Sequence, residues 1–165
     1  MQFEEFVAAR GPALLRFAYV LTLDAHAAED LVQSALTDAY RHWRRVSAAE
    51  NADAYVQRIV VNTHLGWRRR KSAAERPTGE NIDSVVVDHA DGVVDRDASR
   101  RLLDGLPPRA RTVLVLRYYA DLDDAAIADL MGLSVSSVRS TASRALGALR
   151  RGQPSPRPGA TEEVR

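Results

Sequence analysis

Between Ser134 and Arg151 the sequence reads SVSSVRSTASRALGALRR, and helical spacing gathers Ser136, Ser137, Ser140, Ser143, Arg144 and Gly147 on one face, with Arg139 on its flank. Bulky apolar side chains are absent from that face. Small hydroxyls and guanidinium groups donate hydrogen bonds at close range, and this suits a helix that enters a DNA major groove. The plain alternative is an amphipathic helix whose serines are solvated. A second concentration of chemistry is Asn62, Trp67, Arg68, Arg69, Arg70 and Lys71. An amide both donates and accepts along a base edge, and an indole stacks on a base or packs on a core. Four consecutive cations either contact phosphate or satisfy the negative end of a helix dipole. A third set, Asp30, Gln33 and Ser34, lies together on the polar face of its helix, as a docking surface or as solvated residues.

Other chemistry has little support. The chain has no cysteine, so thiolate metal sites and disulfides are excluded, and a reducing cytoplasm fits. His26, His42, His64 and His89 are too dispersed for a local ligand pair. No Gly-rich phosphate loop and no catalytic dyad stands out. The expectation is a binding protein without metal, cofactor or enzymatic activity.

The elements that position these groups follow from 3.6-residue periodicity. A helix from Glu4 to Leu21 turns Phe6, Leu14, Phe17, Ala18 and Leu21 inward, with Gly11 and Pro12 expected to bend or restart it. A second carries Ala28, Leu31, Val32, Ala35, Leu36, Ala39 and Trp43 on its inner face. Asn51 or Asp53 caps a third, with Tyr55, Ile59, Val60 and Thr63 inward and Arg68 to Lys71 at its end. A further helix begins near Asp95 with Ala98, Leu102, Leu103 and Leu106 inward, and Pro107 and Pro108 start the next. Two short helices then flank Gly132. Asp123 and Ser134 cap them, and their inner sets are Ile127, Leu130 and Met131, then Val135, Val138, Ala142, Leu146 and Leu149.

The net charge of +1 conceals segregation. Residues 1–71 carry ten basic and eight acidic groups, residues 72–99 two and seven, and residues 100–151 nine and five. The acidic stretch, SAAERPTGENIDSVVVDHADGV, has no helical period and reads as a linker whose three valines are a brief extended run or an anchor on a partner. The expected plan is all-α: a module over 1–71, a flexible linker over 72–94, a helix-turn-helix module over 95–151 and a disordered tail over 152–165. No apolar run approaches a membrane span, and the acidic start MQFEEFVAARG lacks a secretion pattern.

Two motif groups in this order resemble one family: AEDLVQSALTDAYRHW with AYVQRIVVNTHLGWRRRK, and LPPRARTVLVLRYYADLDDAAIADLMGLSVSSVRSTASRALGALR. The chain resembles an extracytoplasmic-function sigma factor, most closely the small actinobacterial sigma-E type, over about residues 3–71 and 95–150. The resemblance implies binding to core RNA polymerase at its clamp coiled coil, through Asp30 and Gln33, and at its flap region. Ser34 stands where relatives usually carry an acid. Asn62 is implied beside the loop that captures an unstacked base of the −10 element, with the Trp67 to Lys71 run near it. The −35 element would be read by Ser136, Ser137, Arg139, Ser140, Ser143 and Arg144, while Thr141 replaces a common basic residue. Promoter melting needs base pockets and no motor, and an anti-sigma factor is an expected inhibitor. A stand-alone helix-turn-helix regulator would bind DNA without polymerase, and a protein-only adaptor would leave the arginine clusters without a role.

Overall fold

The computed structural model describes residues 1–74 and 100–152, and every regular element among the described residues is helical. The first module comprises α1 (Phe3–Thr22), α2 (Ala25–Arg41), a short α3 (Trp43–Ser47) and α4 (Ala52–Ala74). The second comprises α5 (described over 100–104), α6 (Pro108–Tyr118), α7 (Asp124–Met131) and α8 (Val135–Arg150). The expected linker lies outside the described residues except for 72–74, which are helical, and the tail lies outside them beyond residue 152.

In α1 the predicted set Phe6, Leu14, Phe17, Ala18 and Leu21 is buried. Pro12 does not restart the helix, which is continuous. Ala8, whose carbonyl loses its donor to the proline ring, is exposed, so water can satisfy it. Asp24 caps α2 through the Ala27 amide at 2.9 Å. Ala28, Leu31, Val32, Ala35 and Ala39 are buried beneath it. Trp43 falls beyond its end, in α3, with its ring centroid 5.3 Å from those of both Phe3 and Phe6.

The inner face of α4 is turned from the expected one. Val56, Val60, Val61, His64 and Leu65 are buried, while Tyr55, Ile59 and Thr63 are half-buried along the next stripe. Two adjacent apolar stripes satisfy the same period, and packing against α1 and α2 selects one. Asn51 accepts from the Ala54 amide at 3.0 Å and is the cap, whereas Asp53 pairs with Arg10 of α1. The helix continues past Lys71 to Ala74, so Arg68 to Arg70 precede its last turn.

Pro107 and Pro108 open α6, which is the central helix of the second module, with Val113, Leu114, Val115 and Leu116 buried. Leu106 is buried and Leu103 half-buried, but Leu102 is 44% exposed, contrary to expectation. Asp95 and Ala98 lie outside the described residues. Asp123 caps α7 through the Ala126 amide at 2.8 Å. Gly132 turns the chain at φ 65°, a left-handed conformation that glycine adopts without a Cβ clash. The buried face of α8 is Val138, Ala142, Ala145 and Ala148, with Leu146 and Leu149 half-buried and Val135 exposed. Alanines let α8 approach α6 and α7 closely, which moves its leucines to the rim.

The modules touch through α1 and α6, where Phe17 and Tyr119 stack at 5.3 Å. Arg111 of α6 is buried within electrostatic reach of His64 on α4, and among the described residues neither His64 Nε2 nor Arg111 Nε has a hydrogen-bond partner.

Candidate nucleic-acid interface

An open groove of about 510 Å³ lies between α2 and α4. Asp38 and His42 come from the end of α2, Arg45 from α3, and Tyr55, Ile59, Asn62, Thr63, Gly66 and Arg70 from α4. Asn62 is exposed at the wall, and Arg70 Nε lies 3.4 Å from the Gly66 carbonyl. His42 Nδ1 sits 3.0 Å from the Asp38 carbonyl, and the Asp38 carboxylate pairs with Arg41 at 3.6 Å. Carboxylate, amide, imidazole and guanidinium groups therefore border a space large enough for a planar heterocycle. They supply both donors and acceptors.

The structure divides the basic run. Arg70 joins Asn62 in the groove, whereas the charge of Arg68 acts on His64 and Arg111 toward the second module. Arg69 and Lys71 are exposed. Trp67 is half-buried against the hydrophobic core, the packing alternative rather than a free stacking platform. Burial, then the nearby charges of Arg68 and Arg111, push the His64 imidazole down to about 4.

On α8, Ser136, Arg139, Ser140, Ser143 and Arg144 are exposed and Ser137 is half-buried. The cap at Ser134 draws in two of the serines. Its Oγ accepts from the Ser137 amide at 3.1 Å, lies 2.9 Å from Ser137 Oγ and 3.1 Å from Ser136 Oγ. Ser140 Oγ donates to the Ser137 carbonyl at 3.2 Å. Arg139 Nε donates to Asp124 at 3.2 Å, while the exposed Arg144 makes no ion pair among the described residues. Ser143 and Arg144 thus keep their polar groups for an outside partner. Asp30, Gln33 and Ser34 are exposed within about one turn of α2, roughly 6 to 12 Å along the helix from the groove residue Asp38.

Residues 6–74 match the model of sigma-70 region 2, and residues 96–149 that of sigma-70 region 4. The chain is 37% identical over 150 residues to the RNA polymerase sigma-E factor of Streptomyces avermitilis, covering 91% of this chain and 84% of that one. The chain belongs to the extracytoplasmic-function sigma factors. This sigma factor is also 37% identical to the sigma-E factor of Streptomyces coelicolor, over 91% of its own length and 85% of the relative's. In fold it is similar to the sigma factor RpoE of Bartonella quintana, solved with the anti-sigma factor NepR. The TM-score is 0.67 and the identity 26%, over 91% of this chain and 95% of that one. CnrH, solved with the cytosolic domain of CnrY, shares the fold at a TM-score of 0.55 and 22% identity, covering 90% and 85%. No described helix of this sigma factor is long and apolar enough to cross a membrane.

Sequence reasoning missed Asp38, His42, Arg45, Tyr55, Ile59, Thr63 and Gly66 as groove residues. A signal was present for four of the groove's α4 residues: Tyr55, Ile59, Asn62 and Gly66 recur at spacings of four, three and four, one stripe that contains the singled-out amide. Nothing in the order of residues tied that stripe to Asp38 and Arg45.

Proposed function

We propose that this chain docks on core RNA polymerase through Asp30, Gln33 and Ser34, directs promoter recognition, opens the −10 region and thereby starts transcription. The observation that carries the reading is the polar groove joining Asn62 and Arg70 to Asp38, His42 and Arg45, set in the same chain as an exposed Ser143 and Arg144 on a capped helix-turn-helix. A base extruded from the −10 element enters the groove and meets donors and acceptors along its edge. Unstacking a base costs a few kcal/mol, and groove contacts offset it, so opening needs no nucleotide hydrolysis. The second module holds the −35 element, with Arg144 as its reader of base edges. An anti-sigma factor is a further partner, a reading supported by the similar sigma factor RpoE solved with the anti-sigma factor NepR. The chain itself supplies binding surfaces, and RNA synthesis belongs to the polymerase.

The test is transcription by core polymerase from a library of randomised promoters, with and without the chain. Chain-dependent transcripts from a shared −10 and −35 pattern are expected. Sequence-specific DNA binding by the chain alone, with no effect on polymerase, would favour the stand-alone regulator instead.

Docking has its own expected result. Asp30→Ala with Gln33→Ala should weaken association with core polymerase about tenfold and leave the melting temperature unchanged, because both side chains are exposed. The loss should shrink at high salt, as expected for a carboxylate facing a basic partner. Unchanged affinity of the double variant, measured by titrating labelled chain with core polymerase, would remove the docking role from these residues.

A further inference from the structure

One carboxylate ties the helix-turn-helix together. Asp124, the first residue of α7, is half-buried. Its Oδ1 accepts from Arg117 of α6, with Nε at 3.1 Å and a terminal nitrogen closer still, and its Oδ2 accepts from Arg139 Nε of α8 at 3.2 Å. The Arg117 hydrogen bond is the main cause that holds the Asp124 carboxyl below its ordinary value, with Arg139 adding to it. The two arginines differ in exposure. Arg117 is 25% exposed, whereas the Arg139 side chain is 71% exposed and is held only at Nε.

We propose that Asp124 is a positioning residue for promoter reading: it fixes Arg139 by its inner nitrogen and presents the outer edge of that guanidinium to DNA. The inference rests on the reading of α8 as the −35 helix. A guanidinium carries five N–H donors in a rigid plane, so one bond at Nε leaves four on the terminal nitrogens. These have no partner among the described residues. A long exposed arginine ordinarily loses much rotamer freedom when it binds, and an anchor within the protein removes part of that loss beforehand. Arg117 has a separate part. By neutralising Asp124 it prevents the carboxylate from repelling the phosphates that approach Arg139.

The experiment uses holoenzyme reconstituted from core polymerase and the full chain, on a duplex that carries the −35 sequence selected from a randomised pool and on its scrambled counterpart. Binding is read by fluorescence anisotropy across a salt series for wild type, Asp124→Ala, Arg139→Ala and the double variant. Arg139→Ala is expected to lower the matched-to-scrambled affinity ratio about tenfold, and Asp124→Ala about three- to fivefold. The double variant should be no worse than Arg139→Ala, because an anchor with nothing to hold has no effect. Core affinity should be equal in all four, since docking belongs to α2, and a merely structural role of Asp124 would instead lower binding to both duplexes and add to the loss in the double variant. Because Asp124→Ala also frees Arg117, Asp124→Asn is measured beside it and should show the same reduced ratio with an unchanged melting temperature. If Arg139→Ala costs discrimination but the Asp124 loss multiplies with it, the anchoring inference fails while the −35 reading stands. A rise in matched affinity in Asp124→Asn, showing that the carboxylate competes with DNA, overturns it equally. If Arg139→Ala changes neither duplex, the reading of Arg139 fails and the inference goes with it.

Discussion

Lowering the pH from 7 to 5 should cost the first module about 2 kcal/mol of stability, and about 3 kcal/mol by pH 4, through His64 alone. In the folded chain its imidazole is pushed from 6.5 down to about 4, first by burial and then by the charges of Arg68 and Arg111. The native state therefore prefers the neutral ring. Once unfolded, the ring binds a proton at its ordinary value, so the unfolded state holds more protons throughout the interval between 6.5 and 4. Stability from this group is complete above 6.5, declines as pH falls through the interval, and changes no further below about 4. Asp104 opposes the shift of Arg111, whose guanidinium is pushed down by burial and then by Arg68. The depressed Asp124 carboxyl acts below 3.8, outside this window. Urea unfolding followed by the fluorescence of Trp43 and Trp67, both in this module, gives the measurement. His64→Leu, which removes the titrating ring, should flatten the profile between pH 6.5 and 5. Parallel losses in wild type and variant would assign the acid sensitivity elsewhere.

His64 also shows where sequence reading stops. It is one of four scattered histidines, unremarkable by spacing, and only the apposition of α4 and α6 makes it a buried neighbour of Arg111. The local features were legible because short-range chemistry decides them. Asp24, Asp123 and Ser134 each accept from the backbone amide three residues on, and Gly132 takes the left-handed turn between α7 and α8. On α1 the predicted apolar set, Phe6, Leu14, Phe17, Ala18 and Leu21, is the one that is buried. On α4 two stripes compete, and tertiary packing chose the one with Val56 and Val61. That choice released Tyr55, Ile59 and Thr63 to line the groove. The candidate site was legible in the same measure: Asn62 and Arg70 share a wall, but the run of four cations hid the departure of Arg68 toward the second module. Consecutive helical residues point about 100° apart, so a run of charges is never one surface.

That divergence sharpens the contrast between sequence reading and charge attraction. Arg144→Ala should cost about 1–3 kcal/mol, roughly fivefold to 150-fold, on the correct −35 sequence and little on a scrambled one. Arg144 is exposed on the outer face of α8 and has no ion pair among the described residues, so its guanidinium is available to a base edge. Bidentate geometry to a base discriminates between bases, whereas phosphate binding does not. Arg69 and Arg70 should fail differently. Replacing both with glutamine should weaken binding to any duplex and reduce the slope of log affinity against log salt by nearly one unit for each phosphate deprived of its cation, since counterion release depends on charge and not on sequence. Arg70 lines the groove beside Asn62, so its removal should also slow promoter opening, while the exposed Arg69 should affect binding alone. Holoenzyme binding to matched and scrambled promoters across a salt series separates these cases, and permanganate reactivity of unstacked thymines follows opening. Equal losses on both duplexes for Arg144→Ala would move that residue into the phosphate-binding set and leave Ser143 and Arg139 to carry the −35 discrimination.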